Sequence, residues 1–327
     1  MIQKRVGILG MGAYLPEKVL TNADLEAMVE TTDEWIRTRT GIRERRIAEK
    51  GTPTSDLAAR AGKEAIQSAG LTPTDIDLII VATISPDMFF PSTACIVQNK
   101  IGARCPSFDL SAACSGFPYA LAIAEGLIRS ESFKHILVIG AEVISGFINW
   151  KDRSTCVLFG DGAGAAVVGE VKDGHGILAT YLGSDGSQAS LLEIPAGGSR
   201  IPPSLESIQG GLHCVKMDGA EVFKSAVRIM GSAAIEVTKR AGLKLEEVDC
   251  LIPHQANLRI INAISDRIKF PMEKIFINLD RYGNMSSAST IVALYEASKE
   301  GRIKKGSNVV LVAFGSGLTW AAIAMKW

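Results

Sequence analysis

The chain carries no net charge: 35 Lys plus Arg stand against 35 Asp plus Glu. That balance gives no electrostatic case for nucleic acid or an anionic membrane as the main partner. No run of 18 apolar residues occurs, so no segment reads as a membrane span. The opening, MIQKRVGILGMGAYLP, has a short apolar run broken by glycines and no small-residue cleavage site, so it does not read as an export signal. The expectation is a cytoplasmic protein with reduced thiols. Of the six cysteines, Cys95, Cys105, Cys114, Cys156, Cys214 and Cys250, none pairs as CxxC. That excludes a zinc ribbon and a redox dithiol, and most of the six are expected to be small buried hydrophobes. What is plentiful is apolar residue, 47% of 327, enough for one large domain or two ordinary ones.

Strand and helix patterns alternate along the chain. The β-branched runs 76–83, 135–141 and 307–314 read as buried strands, and 54–70 and 220–242 read as helices closed by glycine. The expectation is an α/β fold with mostly parallel sheets. An internal repeat is visible. AGLTPTDIDLIIVA from Ala69 matches AGLKLEEVDCLIPH from Ala241, and DLSAACSGFPYAL matches LDRYGNMSSASTIVAL further on. This is one duplication with its join near 170–185, and it divides the chain into halves 1–175 and 176–327. The Gly-, Ser- and Pro-rich stretch 184–218 reads as a long surface loop of functional length.

Three turns carry chemistry. In SAACSGF (111–117), small residues join a strand to a helix and place Cys114 at the helix N-terminus, where the helix dipole favours a thiolate. In PHQANLR (253–259), His254 follows a strand at its C-terminal end, the edge at which α/β sites collect. Of the other histidines, His135 and His175 lack polar company in the sequence and His213 lies in the long loop. In RYGNMSSAS (281–289), Asn284 occupies the second repeat's strand-to-helix turn, taken as the counterpart of the Cys114 turn. Each also has a plainer reading: a buried Cys, a structural His, a helix-capping Asn. Convergence of the three at one strand edge favours a site. A fourth turn, AFGSGLTW (313–320), offers backbone N–H groups to an oxyanion or is an ordinary tight turn. GMGAYL and GDGAGAA lack the spacing of a dinucleotide loop, and the second reads as glycine for close packing. DEWIRTRTGIRERR (33–46) is either a solvated helix face or an aromatic with guanidinium groups that grip an adenine nucleotide.

Taken in order, LPEKVLTNADLE, DEWIRTRTGIRERR, FPSTAC, AACSGF, FGDGAGAAV, PHQANLRI, DRYGN and FGSGLTW resemble the β-ketoacyl-acyl carrier protein synthase III family of the thiolase-like superfamily, over essentially the whole chain. The resemblance implies a five-layer αβαβα fold of two duplicated halves and a homodimer. It implies decarboxylative condensation of an acyl-CoA primer with malonyl-acyl carrier protein, initiating fatty acid synthesis, without metal or redox cofactor and with the coenzyme A thioester as substrate. It implies a catalytic Cys114, His254 and Asn284, with oxyanion amides at Cys114 and Ser316; the family often has glycine where Ser316 stands. Trp35, Arg39 and Arg153 look like the nucleotide grip. Asn257 and Phe314 look like tunnel residues, and Phe223 like its gate. Phe90 looks like the aromatic that closes the partner's acyl pocket, and Lys224 and Arg259 like contacts for an acidic carrier protein. An acyltransferase on the same fold that does not condense is the nearest rival, but such relatives usually alter the His or Asn. A papain-like protease shares Cys-His-Asn but not the duplicated α/β core. A non-catalytic binding scaffold would not need all three residues. Choice of primer among acetyl, longer straight and branched groups is left to pocket shape near Phe90.

Overall fold

The computed structural model describes residues 5–172 and 174–327; the first four residues of the opening stretch lie outside the described residues. Strands β1 (Val6–Tyr14), β2 (Leu78–Ala82), β3 (Ser107–Leu110), β4 (Ile136–Glu142) and β5 (Gly162–Glu170) form one sheet in the order β1-β5-β4-β2-β3. Strands β6 (Gly176–Gly183), β7 (Cys250–Pro253), β8 (Asn308–Gly315) and β9 (Thr319–Lys326) form a second in the order β6-β9-β8-β7. Ile275 adds a parallel bridge to Leu251 where a fifth strand would stand. In each sheet the first two pairings are antiparallel and the others parallel. The two halves therefore repeat one topology.

The sheets are mixed, which corrects the expectation of mostly parallel pairing. β5 and β9 each follow the preceding strand without a full crossover helix, and a strand that turns straight back pairs antiparallel. The β-branched runs do form strands buried on both faces: all of Leu78–Ala82 and Ile136–Glu142 is buried. The GDGAGA glycines sit in or beside β5 and permit close approach. A Cβ at Gly162 would lie 2.5 Å from Met285 Sδ, and one at Gly164 would lie 2.6 Å from Ile291.

Seven helices matter for the site: α1 (Asp33–Thr40), α2 (Thr54–Ser68), α3 (Thr93–Ile101), α4 (Gly116–Arg129), α5 (Gly219–Arg240), α6 (Leu258–Ile268) and α7 (Ala288–Lys299). The Ala-rich face of α2 covers the first sheet on one side, with α3 beside it. On the other side α4 and α7 lie between the sheets and touch both. α5, started by an Asp218 cap that accepts from Ala220 N and Glu221 N, covers the outer face of the second sheet with α6. These are five layers, αβαβα. Among the described residues no helix is long and apolar enough to cross a membrane.

Stretch 184–218 is more ordered than a surface loop. Leu192–Glu193 pairs with Lys216–Met217, Leu205–Gln209 is a short helix, and Cys214 and Val215 are buried. Apolar side chains dispersed among its Gly, Ser and Pro residues are what fold it inward.

Candidate active site

After β3 the chain makes a tight turn with Ala113 at φ +48°, and Cys114 stands on it at the entrance to α4. Small residues are required here. A Cβ on Gly315, at the end of β8, would meet Cys114 N at 2.6 Å. Cys114 is buried, and that burial pushes its thiol up to about 12. This corrects the expectation of a resting thiolate. Moving the thiol from the ordinary 9.0 to about 12 corresponds to about 4 kcal/mol, whereas a helix N-terminus supplies about 0.3–1 kcal/mol, so desolvation wins.

His254 follows β7, and its N–H donates to Val312 O at 2.8 Å, which locks it to the end of β8. The next residue, the fully buried Gln255, fastens the turn: Nε2 donates to Pro253 O at 2.7 Å and Oε1 accepts from Asn278 N at 3.0 Å. His254 is buried, its Nδ1 has no partner among the described residues, and burial lowers its pKa to about 4, so the ring is neutral. The other histidines do have polar company: His135 Nδ1 lies 3.0 Å from Asp75 O, and His175 Nδ1 lies 2.8 Å from Trp327 O.

Asn284 is buried in the turn before α7. Its N–H donates to Leu158 O at 2.8 Å and its carbonyl accepts from Gly160 N at 3.0 Å. Its Oδ1 accepts from Ser286 N at 2.8 Å, which leaves the NH2 end as the group it can offer. The structural counterpart of Cys114 is Ser287, not Asn284. The left-handed turn residues are Ala113 and Ser286, so the offset is 286 − 113 = 173 and Cys114 maps onto 287. The sequence repeat matched the turns but not their register.

Cys114, His254 and Asn284 line one cavity of about 300 Å³. Trp35, Arg39, Phe223, Asn257, Arg259 and Phe314 line it with them. Arg153 lies outside the lining, but its guanidinium sits 4.7 Å from the Trp35 ring centre, and that of Arg39 sits 5.1 Å from it. Asn257 also caps α6, its Oδ1 accepting from Arg259 N at 2.8 Å. A second cavity of about 490 Å³ shares Cys114 and is walled by Ile84, Ile144, Phe159, Ile194 and Val215, with Ser316 at its edge. The Ser316 hydroxyl donates to Leu192 O, which ties its side chain to the 184–218 stretch. Two candidates stand apart. Phe90 is 85% exposed beside an exposed Phe89, and Lys224 is exposed in an ion pair with Glu221 at 2.6 Å. Within the basic run, Arg45 is no ligand group. It is fully buried, donating to Asn22 Oδ1 at 2.9 Å and Val157 O at 2.8 Å, and it holds the core together. Among the described residues no group of His, Cys, Asp and Glu is arranged to hold a metal.

Sequence reasoning missed Leu192, Met217 and Phe159, which line the first cavity, and Glu142, buried at the end of β4 behind the Asn284 turn. The unusual length of 184–218 was the one available signal for the first two.

A thiol on a strand-to-helix elbow that shares one cavity with a neutral imidazole and a carboxamide, in a frame of two duplicated sheets, defines a thiolase-fold condensing enzyme. Residues 108–186 match the family described as 3-Oxoacyl-[acyl-carrier-protein (ACP)] synthase III, and residues 238–327 match its C-terminal part. The beta-ketoacyl-[acyl-carrier-protein] synthase III of Caldanaerobacter subterraneus is 59% identical over 98% of this chain and 97% of its own length, and that of Clostridioides difficile is 54% identical over 99% and 98%. The crystal structure of 3-oxoacyl-[acyl-carrier-protein] synthase III from Aquifex aeolicus is similar at a TM-score of 0.92 and 50% identity, covering 98% of this chain and all of that one. This chain belongs to the β-ketoacyl-acyl carrier protein synthase III family.

Proposed function

We propose that this enzyme joins an acyl-CoA primer to malonyl-acyl carrier protein by decarboxylative Claisen condensation, giving a β-ketoacyl-acyl carrier protein, coenzyme A and CO2, the first condensation of fatty acid synthesis. The observation that carries the reading is the single cavity that brings Cys114, His254 and Asn284 together and continues to Trp35 and Arg39.

Because the Cys114 thiol rests protonated, its proton is lost as sulfur attacks the thioester carbonyl and ends on the departing coenzyme A sulfur, so His254 stays neutral throughout. The oxyanion meets the N–H groups of Cys114 and Ser316. Coenzyme A departs as the thiol, and the acyl group stays on Cys114, directed into the apolar second cavity. Malonyl thioester then enters the vacated tunnel. Loss of CO2 leaves an enolate on its thioester oxygen, and the two donors offered to it are His254 Nε2–H and the Asn284 NH2. A buried lone pair without a partner is better tolerated than a buried N–H without one, so the orphan Nδ1 favours the proton on Nε2. The enolate carbon attacks acyl-Cys114. CO2 loss itself supplies the carbanion, so the reaction calls for no metal or redox group.

Trp35, flanked by Arg39 and Arg153, suits an adenine with phosphates; Asn257 and Phe314 suit the pantetheine arm, and Phe223 its gate. Arg259 at the cavity and Lys224 on α5 suit an acidic carrier protein. The exposed Phe89 and Phe90, with half-exposed Phe108 on the edge strand β3, suit a homodimer in which Phe90 reaches the partner's acyl pocket. A cytoplasmic location accords with these soluble substrates.

The test offers a panel of acyl-CoAs to the protein, maps the adduct by mass, then adds malonyl-acyl carrier protein. An adduct on Cys114 that becomes β-ketoacyl product with CO2 release is expected, and the panel names the primer. Cys114→Ser is expected to lose acylation, and Asn284→Asp chiefly decarboxylation. Acylation without condensation would make the protein an acyltransferase instead.

A further inference from the structure

We propose that Glu142 is a positioning residue for the decarboxylation step: its buried carboxyl clamps Ser287, and so holds the strained Ser286 turn in the form that orients the Asn284 amide. The proposal rests on the role given above to Asn284.

Glu142 is the last residue of β4 and is fully buried. Its Oε2 accepts from Thr83 Oγ1, Ile84 N and Ser85 N, each at 3.1 Å, and from Ser85 Oγ at 2.6 Å, all just past the end of β2. Its Oε1 accepts from Ser287 Oγ at 2.9 Å and Ser287 N at 3.4 Å, from the other half of the molecule. A leucine would fill this space without desolvating a carboxyl, so the group is explained by what it holds.

What it holds is strained. Ser286 has φ +46°, a conformation that a non-glycine residue keeps only when its surroundings over-determine it. On one side Ser286 N donates to Asn284 Oδ1 at 2.8 Å. On the other, the Ser287 hydroxyl sits between Glu142 Oε1 and Ala82 O, 2.9 Å and 2.7 Å away, and shares its one proton between the two acceptors. Releasing Ser287 lets the turn relax and carries the Ser286 N–H off Asn284 Oδ1. The Asn284 backbone stays anchored to Leu158 and Gly160, so the amide loses its orientation but not its place. Cys114 stands on the other elbow, whose backbone meets Gly315, but its thiol also lies against Ser286 and feels the Glu142 charge, so acyl transfer is disturbed as well, though less than a step that needs the Asn284 amide in place.

Glutamine can replace much of this. Its oxygen can take the Thr83–Ser85 donors, while its NH2 donates to Ser287 Oγ, which still donates to Ala82 O. Burial raises the pKa of Glu142, in keeping with tolerance of a neutral side chain.

The experiment compares Glu142→Ala, Glu142→Gln and Ser287→Ala with the unmodified enzyme in three measurements: single-turnover acylation of Cys114, CO2 release from malonyl thioester, and thermal unfolding. Glu142→Ala and Ser287→Ala are expected to lose decarboxylation roughly a hundredfold, the scale of an ångström-level misplacement, with acylation changed by about tenfold at most, while Glu142→Gln keeps both within about fivefold. Should Glu142→Ala fail to fold, Ser287→Ala decides, because it leaves the other contacts of the carboxyl in place. Equal loss of both half-reactions, with Gln no better than Ala, overturns the proposal. So does full decarboxylation by folded Ser287→Ala or folded Glu142→Ala. Absence of CO2 release from the unmodified enzyme overturns the functional reading beneath it, and the clamp with it.

Discussion

Gly315→Ala tests the geometry of the nucleophile directly. Gly315 has φ −144° and ψ 179°, an extended conformation open to alanine, so backbone preference adds no penalty. The contact does. The new Cβ would lie 2.6 Å from Cys114 N, 3.1 Å from Ala113 Cβ and 3.2 Å from Ala112 O. Ordinary contact begins near 3.4 Å, so the shortfall to Cys114 N is 3.4 − 2.6 = 0.8 Å. The obstructing atom is backbone, on an elbow already held at positive φ, so it cannot swing aside as a side chain would. Either the Cys114 elbow or the end of β8 must move by most of that distance. These are the two bodies that carry the proposed oxyanion amides, Cys114 N–H and Ser316 N–H, so the pair separates. Losing one such donor lowers the rate about 10²–10³-fold, and overpacking destabilises by about 1–3 kcal/mol. Single-turnover acylation of Cys114, followed by mass, reads the first quantity and thermal unfolding reads the second. Gly317→Ala is the control: it sits at φ +71° with no atom nearer than 3.8 Å to its Cβ, so it is expected to lower stability with far less effect on acylation. Acylation by Gly315→Ala within about threefold of the unmodified rate would refute the close approach and the paired amides together.

Two further outcomes follow from burial and stacking. Since the folded pKa of His254 is about 4 against an ordinary 6.5, the unfolded chain takes up the proton first; the associated stability is full above pH 6.5 and is lost as pH falls to 4, by about 3 kcal/mol. Urea midpoints at pH 7 and pH 4.5 should therefore draw closer together in His254→Gln, and an unchanged acid slope would contradict the neutral, buried imidazole. Trp35→Ala should raise KM for acyl-CoA about tenfold while leaving acylation by a short thioester that lacks the nucleotide unaffected, since base–aromatic stacking contributes about 1–3 kcal/mol; equal effects on both donors would place Trp35 in the fold rather than the nucleotide site.

The parts of the site that were legible in the sequence are those with a local cause. His254 stands immediately after a strand-like run, and Cys114 follows another through a turn of small residues that announce the tight approach. Asn284 was found by the repeat, though three residues out of register with the nucleophile, because matching turns by composition cannot place a single left-handed residue. What was hidden depends on partners far along the chain. Arg45 sits in a run of guanidinium groups and reads as surface, yet its acceptor Val157 O lies 112 residues away. Glu142 looks like the polar end of a strand, and its clamp on Ser287 spans 145 residues. Strand direction was misjudged for a related reason: alternating β and α patterns suggest crossovers, but β9 follows β8 through a three-residue turn.

The duplicated frame also explains why one cavity forms rather than two. At matching positions the halves place Cys114 and Ser287 on equivalent elbows, after Ala113 and Ser286 at φ +48° and +46°. Opposite Cys114 N stands Gly315; opposite Ser287 N stands Glu142, and 315 − 142 = 173 is the same offset. Glycine there leaves room for a substrate oxygen beside the amide. Glutamate fills the equivalent room and uses the amide itself. At the ends of the matching strands, Ala82 offers its carbonyl to Ser287, while His254, at 254 − 82 = 172, presents an imidazole to the cavity that Cys114 shares. One elbow has thus been emptied for chemistry and its twin packed to hold the Asn284 turn. Filling the first, as in Gly315→Ala, and emptying the second, as in Glu142→Ala, should each disable the enzyme at a different half-reaction.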